Sequence, residues 1–188
     1  TTVSTTMRTP GHDFELAVGF LVTEGMLGGA PVTRVRYCGT GSAIESEFNV
    51  VTVETGGRAP APTPRLGSTT SSCGVCGSTS IDELCDRVAP VVPLELDPAL
   101  IVTLPDRFAP LQELFGRTGA VHAAVAFDRT GAPVVGREDI GRHNAVDKVV
   151  GRLCLDGRLP ATGLGLWVSG RASFEMVQKA WAAGFGAL

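Results

Sequence analysis

Apolar residues at Phe14, Ala17, Val18 and Leu21 recur every three to four positions and predict a helix with one apolar face. Thr9-Pro10 reads as its N-cap and first helical position, and Gly25 as its end. Val32 to Tyr37 and Phe48 to Glu54 are rich in Val, Thr and Phe and predict strands. Pro60, Pro62 and Pro64, between Gly56 and Gly67, mark an extended linker. Ile81 to Val88 predicts a short helix, and Phe108 to Arg117 another, closed by Gly119. From Ala120 to Asp128 the chain alternates: Val121, Ala123, Val125 and Phe127 point one way, His122, Ala124 and Ala126 the other. Asp128 to Gly131 predicts a turn and Val134-Val135 the start of a returning strand. Asp139 precedes a helix with Val146, Val149, Val150 and Leu153 on one side. Leu164 to Val168 predicts a buried strand. Ser169-Gly170-Arg171 then turns into a last helix with Phe174, Val177 and Trp181 on its apolar face, and Gly186-Ala-Leu188 opens another strand.

This order of strand, hairpin, helix, strand and helix favours α/β layers after the linker. The expected division is a small α+β domain over residues 1–58, a linker over 59–70, and a main domain over 71–188. Composition narrows the class. A chain of 188 residues buries about 70% of its unfolded surface and needs no disulfide or metal for stability. An apolar content of 44% excludes general disorder. A formal charge of −3 gives no case for nucleic-acid or membrane binding. The longest apolar run, Leu16 to Val22, falls far short of the ~20 residues a bilayer needs. No export signal opens the chain. Five cysteines at irregular spacing (Cys38, Cys73, Cys76, Cys85, Cys154) do not form a disulfide framework. The expectation is a soluble cytoplasmic protein with reduced thiols. Arginine outnumbers lysine 14 to two, which reads either as phosphate recognition or, with the abundant Ala and Gly, as genome base composition, the favoured reading.

Four segments carry candidate chemistry. Cys73-Gly-Val-Cys76 lies in a Ser/Thr/Gly-rich loop. Half a zinc site, a redox pair and two ordinary loop cysteines all share this spacing. A polar, glycine-flanked loop suits a nucleophile that visits two partners, because a thiolate can accept sulfur as a persulfide and hand it on. Glu138-Asp139-Ile-Gly-Arg142-His143-Asn144-Ala-Val-Asp147-Lys148 crowds polar groups around a helix start, with Asp139 as N-cap and His143 and Asp147 on one face. It reads either as a solvated face or as a site, and Glu138 and Asp139 oppose a phosphate at that helix start. His122 stands among alanines, either as a core histidine or beside a flat ligand. Ser169-Gly170-Arg171-Ala-Ser173 reads as an ordinary capped turn, or as an anion site at a helix start with Arg171 adding bidentate contacts. Arg8 and His12, beside the first helix, read as capping residues.

Met7 to Gly25, Ser71 to Gly77, Gly119 to Ala124, Glu138 to Lys148 and Ser169 to Lys179 together resemble, in order, the signatures of the formate dehydrogenase accessory sulfurtransferase family, FdhD. The resemblance spans nearly the whole chain. It implies transfer of sulfur from a cysteine desulfurase to a molybdenum (or tungsten) bis(molybdopterin guanine dinucleotide) cofactor, which activates formate dehydrogenase. It implies Cys73 as the persulfide carrier and Cys76 as its helper. His122, Arg142, His143, Asp147, Ser169, Gly170 and Arg171 are then expected to line a cofactor pocket that a guanine nucleotide can also fill. It further implies a homodimer and a three-layer main domain like cytidine deaminase, with no structural metal. His122 is followed by Ala124, not by the Glu of a deaminase HxE motif, so deaminase chemistry is disfavoured. A non-catalytic chaperone for the guanine dinucleotide cofactor is the alternative. Family members extend further at both ends, so the resemblance implies a truncated chain whose C-terminal cofactor residues are missing.

Overall fold

A computed structural model describes residues 1–38, 41–62 and 89–188. Cys73, Cys76, Cys85 and the helix expected over Ile81 to Val88 lie outside the described residues. Helix α1 (Asp13–Thr23) begins three residues later than Thr9-Pro10 predicts. Gly11 (φ 98°) and His12 (φ 57°) adopt left-handed backbone, which a right-handed helix cannot pass through. Thr9 is bonded elsewhere: its N–H donates to Asp139 Oδ2 (3.0 Å), and its Oγ1 accepts from the N–H of Ile140 (2.9 Å). Strands β1 (Arg34–Tyr37) and β2 (Val51–Glu54) form within the two expected strand segments and pair antiparallel. Tyr37 stacks its ring 4.7 Å from Phe14 and 5.3 Å from Phe48, tying the hairpin to α1.

The single helix expected over Phe108 to Arg117 is several pieces. Short helices α2 (Pro98–Ile101) and α3 (Leu104–Phe108) lead to a 3₁₀ turn (Ala109–Leu111) and then α4 (Glu113–Thr118). Pro110 has no N–H to continue the ladder, and Gln112 leaves helical geometry at φ −104°, ψ 56°. Gly119 (φ 63°) ends α4 as predicted. Strand β3 (His122–Phe127) pairs antiparallel with β4 (Pro133–Asp139) across the predicted Asp128 turn, where Asp128 Oδ1 accepts from the N–H groups of Thr130 and Ala132. Helix α5 (Arg142–Leu155), strand β5 (Gly165–Val168) and helix α6 (Phe174–Ala183) complete the order. β5 also runs antiparallel to β3, so the sheet reads β4-β3-β5. Ala187 bridges Gly165 in parallel, as a strand opening at Gly186 requires.

The alternation along β3 places helices on both faces of this sheet. Val125 and Phe127 pack against Leu104 and Phe108. Ala124 and Ala126 face Val146, Val149, Val150, Met176 and Ala180. The fold is therefore mixed α and β with antiparallel sheets, the three-stranded one lying between helical layers. Val146, Val149, Val150 and Leu153 are fully inaccessible, as predicted, each contributing about 2 kcal/mol of burial. The last helix departs from its predicted face. Met176, Lys179, Ala180 and Ala183 turn inward, while Phe174 and Val177 are exposed. Small inward residues let α6 approach α5 closely, and Lys179 finds charged partners there. Among the described residues no helix is long and apolar enough to cross a membrane.

Candidate functional site

One end of the three-stranded sheet gathers the chemistry. β3 starts there at His122, β4 ends there at Asp139, α5 begins at Arg142, and β5 leaves through Ser169-Gly170 toward α6. Sheet and helix directions thus bring two helix N-termini to one place. The first N–H groups of a helix have no internal partner. Gly141, the N-cap of α5, has no side chain to satisfy them, and Ser173, the N-cap of α6, makes no side-chain cap bond. A Cβ on Gly170 would lie 3.3 Å from Arg142 Cδ and 3.5 Å from His122 Nδ1. The bare glycine therefore sits between these two side chains. Ser169 is fixed to β3: its N–H donates to the Ala123 carbonyl and its Oγ accepts from the Ala123 N–H, both at 2.9 Å. A cleft of about 310 Å³ opens here, lined by Gln112, Phe115, Gly119, Val121, His122 and Ser169.

Arg142 Nε and Ser173 Oγ are buried atoms with no hydrogen-bond partner among the described residues. Leaving such a group unpaired costs about 1–3 kcal/mol, and orphans of this kind are few in folded proteins. Here an orphan donor and an orphan hydroxyl sit on the first turn and N-cap of the two converging helices. Helix N-termini with unsatisfied N–H groups favour an anion. Arg171, exposed on the connecting turn, adds a guanidinium nearby in sequence.

The acidic residues expected to repel such an anion are otherwise engaged. Glu138 caps α4, accepting from the N–H groups of Leu114 (2.9 Å) and Phe115 (2.8 Å). Asp139 is the last strand residue, not the N-cap of α5; that position falls to Gly141. Its carboxylate is fully buried and accepts from Thr9 N–H, Gly141 N–H, Asn144 Nδ2 and Lys148 Nζ, the last at 2.7 Å. Asn144 Nδ2 also donates to the Met7 carbonyl, and Lys148 to that of Thr9. These bonds strap residues 7–9 across the start of α5. The segment is a buried polar network, not a solvated helix face.

His143 and Asp147 share one side of α5, as their spacing predicts, and both face α6. His143 Nε2 lies 2.6 Å from Glu175 Oε2. Burial pulls the imidazole below its ordinary value, and Glu175 only partly restores it. Asp147 is 2% exposed and accepts from Thr23 Oγ1 (2.8 Å) and Lys179 Nζ (2.9 and 3.0 Å). Burial pushes its carboxyl above the usual carboxylate range, against the pull of Lys179. Burial also disfavours charge on Lys179, but the Asp147 and Glu24 carboxylates outweigh it and raise the ammonium. The structure thus joins His122, Arg142, Ser169 and Gly170 in one place, with Arg171 beside it, and sets His143 and Asp147 in the α5–α6 interface. Glu175, Lys179 and Thr23 are partners that periodicity alone misses. The spacing of Glu175 and Lys179, four apart like His143 and Asp147 and opposite in kind, is the signal that could have found them.

A larger cleft, about 420 Å³, lies between Thr9, His12, Leu114 and Arg137. Its cations are satisfied internally: Arg137 pairs with Glu15, and Lys148 with Asp139. Arg8 forks onto both oxygens of Asp13 at 2.8 Å, securing the first turn of α1. We therefore place the candidate site at the His122 end.

A profile described as the FdhD/NarQ family matches residues 1–188. The chain is 44% identical over 194 residues to the "Sulfur carrier protein FdhD" of Corynebacterium efficiens, covering 98% of this chain and 70% of that protein. It is 47% identical over 193 residues to the protein of the same name from Streptomyces avermitilis, covering 97% and 68%. The crystal structure of a candidate formate dehydrogenase accessory protein from Desulfotalea psychrophila superposes with a TM-score of 0.67 at 23% identity. It covers 97% of this chain and 69% of that one, and this likeness establishes the fold.

Proposed function

Since this chain belongs to the FdhD/NarQ family, we propose that it is a sulfur carrier that loads sulfur on Cys73 and delivers it to a molybdenum cofactor bound at the His122 cleft. The cofactor, bis(molybdopterin guanine dinucleotide), is the substrate, and its diphosphates are the anions the cleft suits. The observation that carries this reading is the pair of orphaned polar atoms, Arg142 Nε and Ser173 Oγ, beside two open helix N-termini. Arg142 and Arg171 supply charge, the open N–H groups supply donors, and bare Gly170 lets the turn pass close to Arg142 and His122. A guanine nucleotide fits the same place.

In the loading step the Cys73 thiolate attacks the outer sulfur of a cysteine desulfurase persulfide. The donor's S–S bond breaks, the desulfurase leaves as its thiolate, and Cys73 gains one sulfur. In delivery Cys76 attacks the inner sulfur. Hydrosulfide leaves toward the cofactor and a Cys73–Cys76 disulfide forms, which a dithiol reductant reopens. The partners in this scheme are the desulfurase and the catalytic subunit of formate dehydrogenase, in the cytoplasm. A homodimer, a cytidine-deaminase-like main domain over residues 71–188 behind a 59–70 linker, a small domain over 1–58, and stability without a structural metal belong to the same proposal.

The test is mass spectrometry after incubation with a desulfurase and cysteine. A gain of about 32 Da on wild type that maps to Cys73 supports the carrier. No gain, or the same gain on Cys73→Ala, rejects it. Rescue of formate dehydrogenase by the Cys73→Ala/Cys76→Ala double variant would establish the chaperone alternative instead.

A further inference from the structure

We propose that Asp147 and Lys179 are positioning residues for the cleft: they clamp α5 to α6 so that the first turns carrying Arg142 and Ser173 stay together at the anion site. This rests on the reading of the His122 cleft given above, and it replaces ligand contact as the role of Asp147.

Neither residue is free to touch a ligand. The Lys179 ammonium is surrounded by Thr23 Oγ1 (2.9 Å), Glu24 Oε1 (3.1 Å), Asp147 Oδ1 (2.9 Å) and Asp147 Oδ2 (3.0 Å). Three N–H donors facing four acceptors leave none to spare. Thr23 Oγ1 closes the triangle by donating to Asp147 Oδ1 at 2.8 Å. The knot therefore ties three helices: α1 through Thr23, α5 through Asp147 and α6 through Lys179. Ion pairs this deep seldom add stability over apolar residues of similar volume. What they add is direction, since hydrogen bonds of fixed length set the height of one helix against another, where methyl groups tolerate a slip.

A second rung lies one turn nearer the cleft. His143 is four residues before Asp147, and Glu175 four before Lys179, and they meet at 2.6 Å. Four residues is about one helical turn, so both helices advance by the same rise between rungs. The upper rung adjoins Arg142 in sequence and stands two residues past Ser173, whose orphaned atoms define the anion site.

The experiment compares ligand affinity with stability. GDP and inorganic pyrophosphate are titrated calorimetrically into wild type, Asp147→Leu/Lys179→Met, Thr23→Val and Thr23→Ser, and each variant's thermal midpoint is recorded. The ¹⁵N shift of Arg142 Nε reports the anion directly. The apolar double variant removes both charges of the pair; Glu24 loses the Lys179 ammonium as well, so the thermal midpoint is read beside the affinity. It is expected to keep its fold but bind GDP about tenfold more weakly, with the Arg142 Nε response lost. Thr23→Val is expected to weaken binding about threefold, and Thr23→Ser, which restores the hydroxyl, to bind as wild type. Wild-type affinity in a folded double variant overturns the proposal. If the double variant does not fold, the threonine pair decides: unchanged binding by Thr23→Val overturns it. If wild type binds neither GDP nor pyrophosphate, the reading of the cleft fails first and the clamp falls with it.

Discussion

Gly19 and Gly151 meet where α1 crosses α5, and neither position has room for a side chain. A Cβ on Gly19 would overlap the carbonyl of Asp147, and one on Gly151 the carbonyl of Glu15. The obstacles are backbone atoms of the facing helix, so no rotamer change relieves the clash. The N-terminal helix is therefore seated on the helix that opens at the anion site, and Thr23 reaches Asp147 because of that close approach. Gly19→Ala or Gly151→Ala is expected to destabilise the protein by about 3 kcal/mol. Urea denaturation measures this, and Gly163→Ala, with nothing within 4 Å of its Cβ among the described residues but a φ of 77°, should cost about 1 kcal/mol through backbone strain.

The two lysines of this arginine-rich chain, Lys148 and Lys179, are both buried and both ion-paired. Base composition is the expected source of the abundant arginine. It does not explain why these two positions keep lysine. Each ammonium fits a compact nest of oxygens that a planar guanidinium would overfill. Charge-conserving Lys148→Arg and Lys179→Arg are therefore expected to lose about 2 kcal/mol each by overpacking. A thermal or urea midpoint equal to wild type for either would show that the nest tolerates a fork.

Much of the architecture is legible in the sequence. The alternation of β3, the valine face of α5, the Asp128 turn and the ends at Gly25 and Gly119 all follow from period and turn chemistry. The departures share a cause. Local rules of capping and amphipathicity misplace Thr9, Asp139 and Lys179, because each is bonded across more than 100 residues of sequence: Thr9 to Asp139, and Lys179 to Thr23. Local patterns do not encode such partners. In the site, motif density finds His122, Arg142 and Gly170, whereas Ser173 emerges only as a buried hydroxyl without a bond.

Acid should weaken the fold through its histidines. His143 and His12 both have folded values below the ordinary 6.5, chiefly through burial. Below that value the unfolded chain takes up protons that the folded chain does not, so unfolding is favoured as pH falls. The denaturant midpoint should therefore drop as pH goes from about 7.5 to about 5.5. His143→Gln, which removes the more buried ring, should flatten this slope, and an unchanged slope would assign the loss to other groups.

Cys154 is half-buried on α5, and burial raises its thiol above the ordinary value. The thiolate is the reactive form, so Cys154 is disfavoured as a nucleophile near neutral pH. Iodoacetamide at about pH 7.5 should alkylate it more slowly than free cysteine, with full reactivity returning in denaturant. Rapid labelling of native Cys154 would make it a competitor for sulfur in the persulfide assay.

Gly170 offers the most direct test of the cleft. Its backbone is not in the left-handed region, so a side chain is not strained by conformation. The nearest obstacles to a Cβ are the flexible stem of Arg142 at 3.3 Å and His122 Nδ1 at 3.5 Å, both able to shift by a few tenths of an ångström. Gly170→Val should therefore fold, with a thermal midpoint within a few degrees of wild type. Its methyl groups would displace the Arg142 and His122 side chains that flank the proposed anion site. GDP affinity is expected to fall by about tenfold or more while stability holds. Persulfide loading on Cys73, which needs no cofactor, should proceed at the wild-type level. A variant that binds GDP normally would move the anion away from Gly170, and one that loses loading as well would mean that the cleft and the sulfur step are not separable.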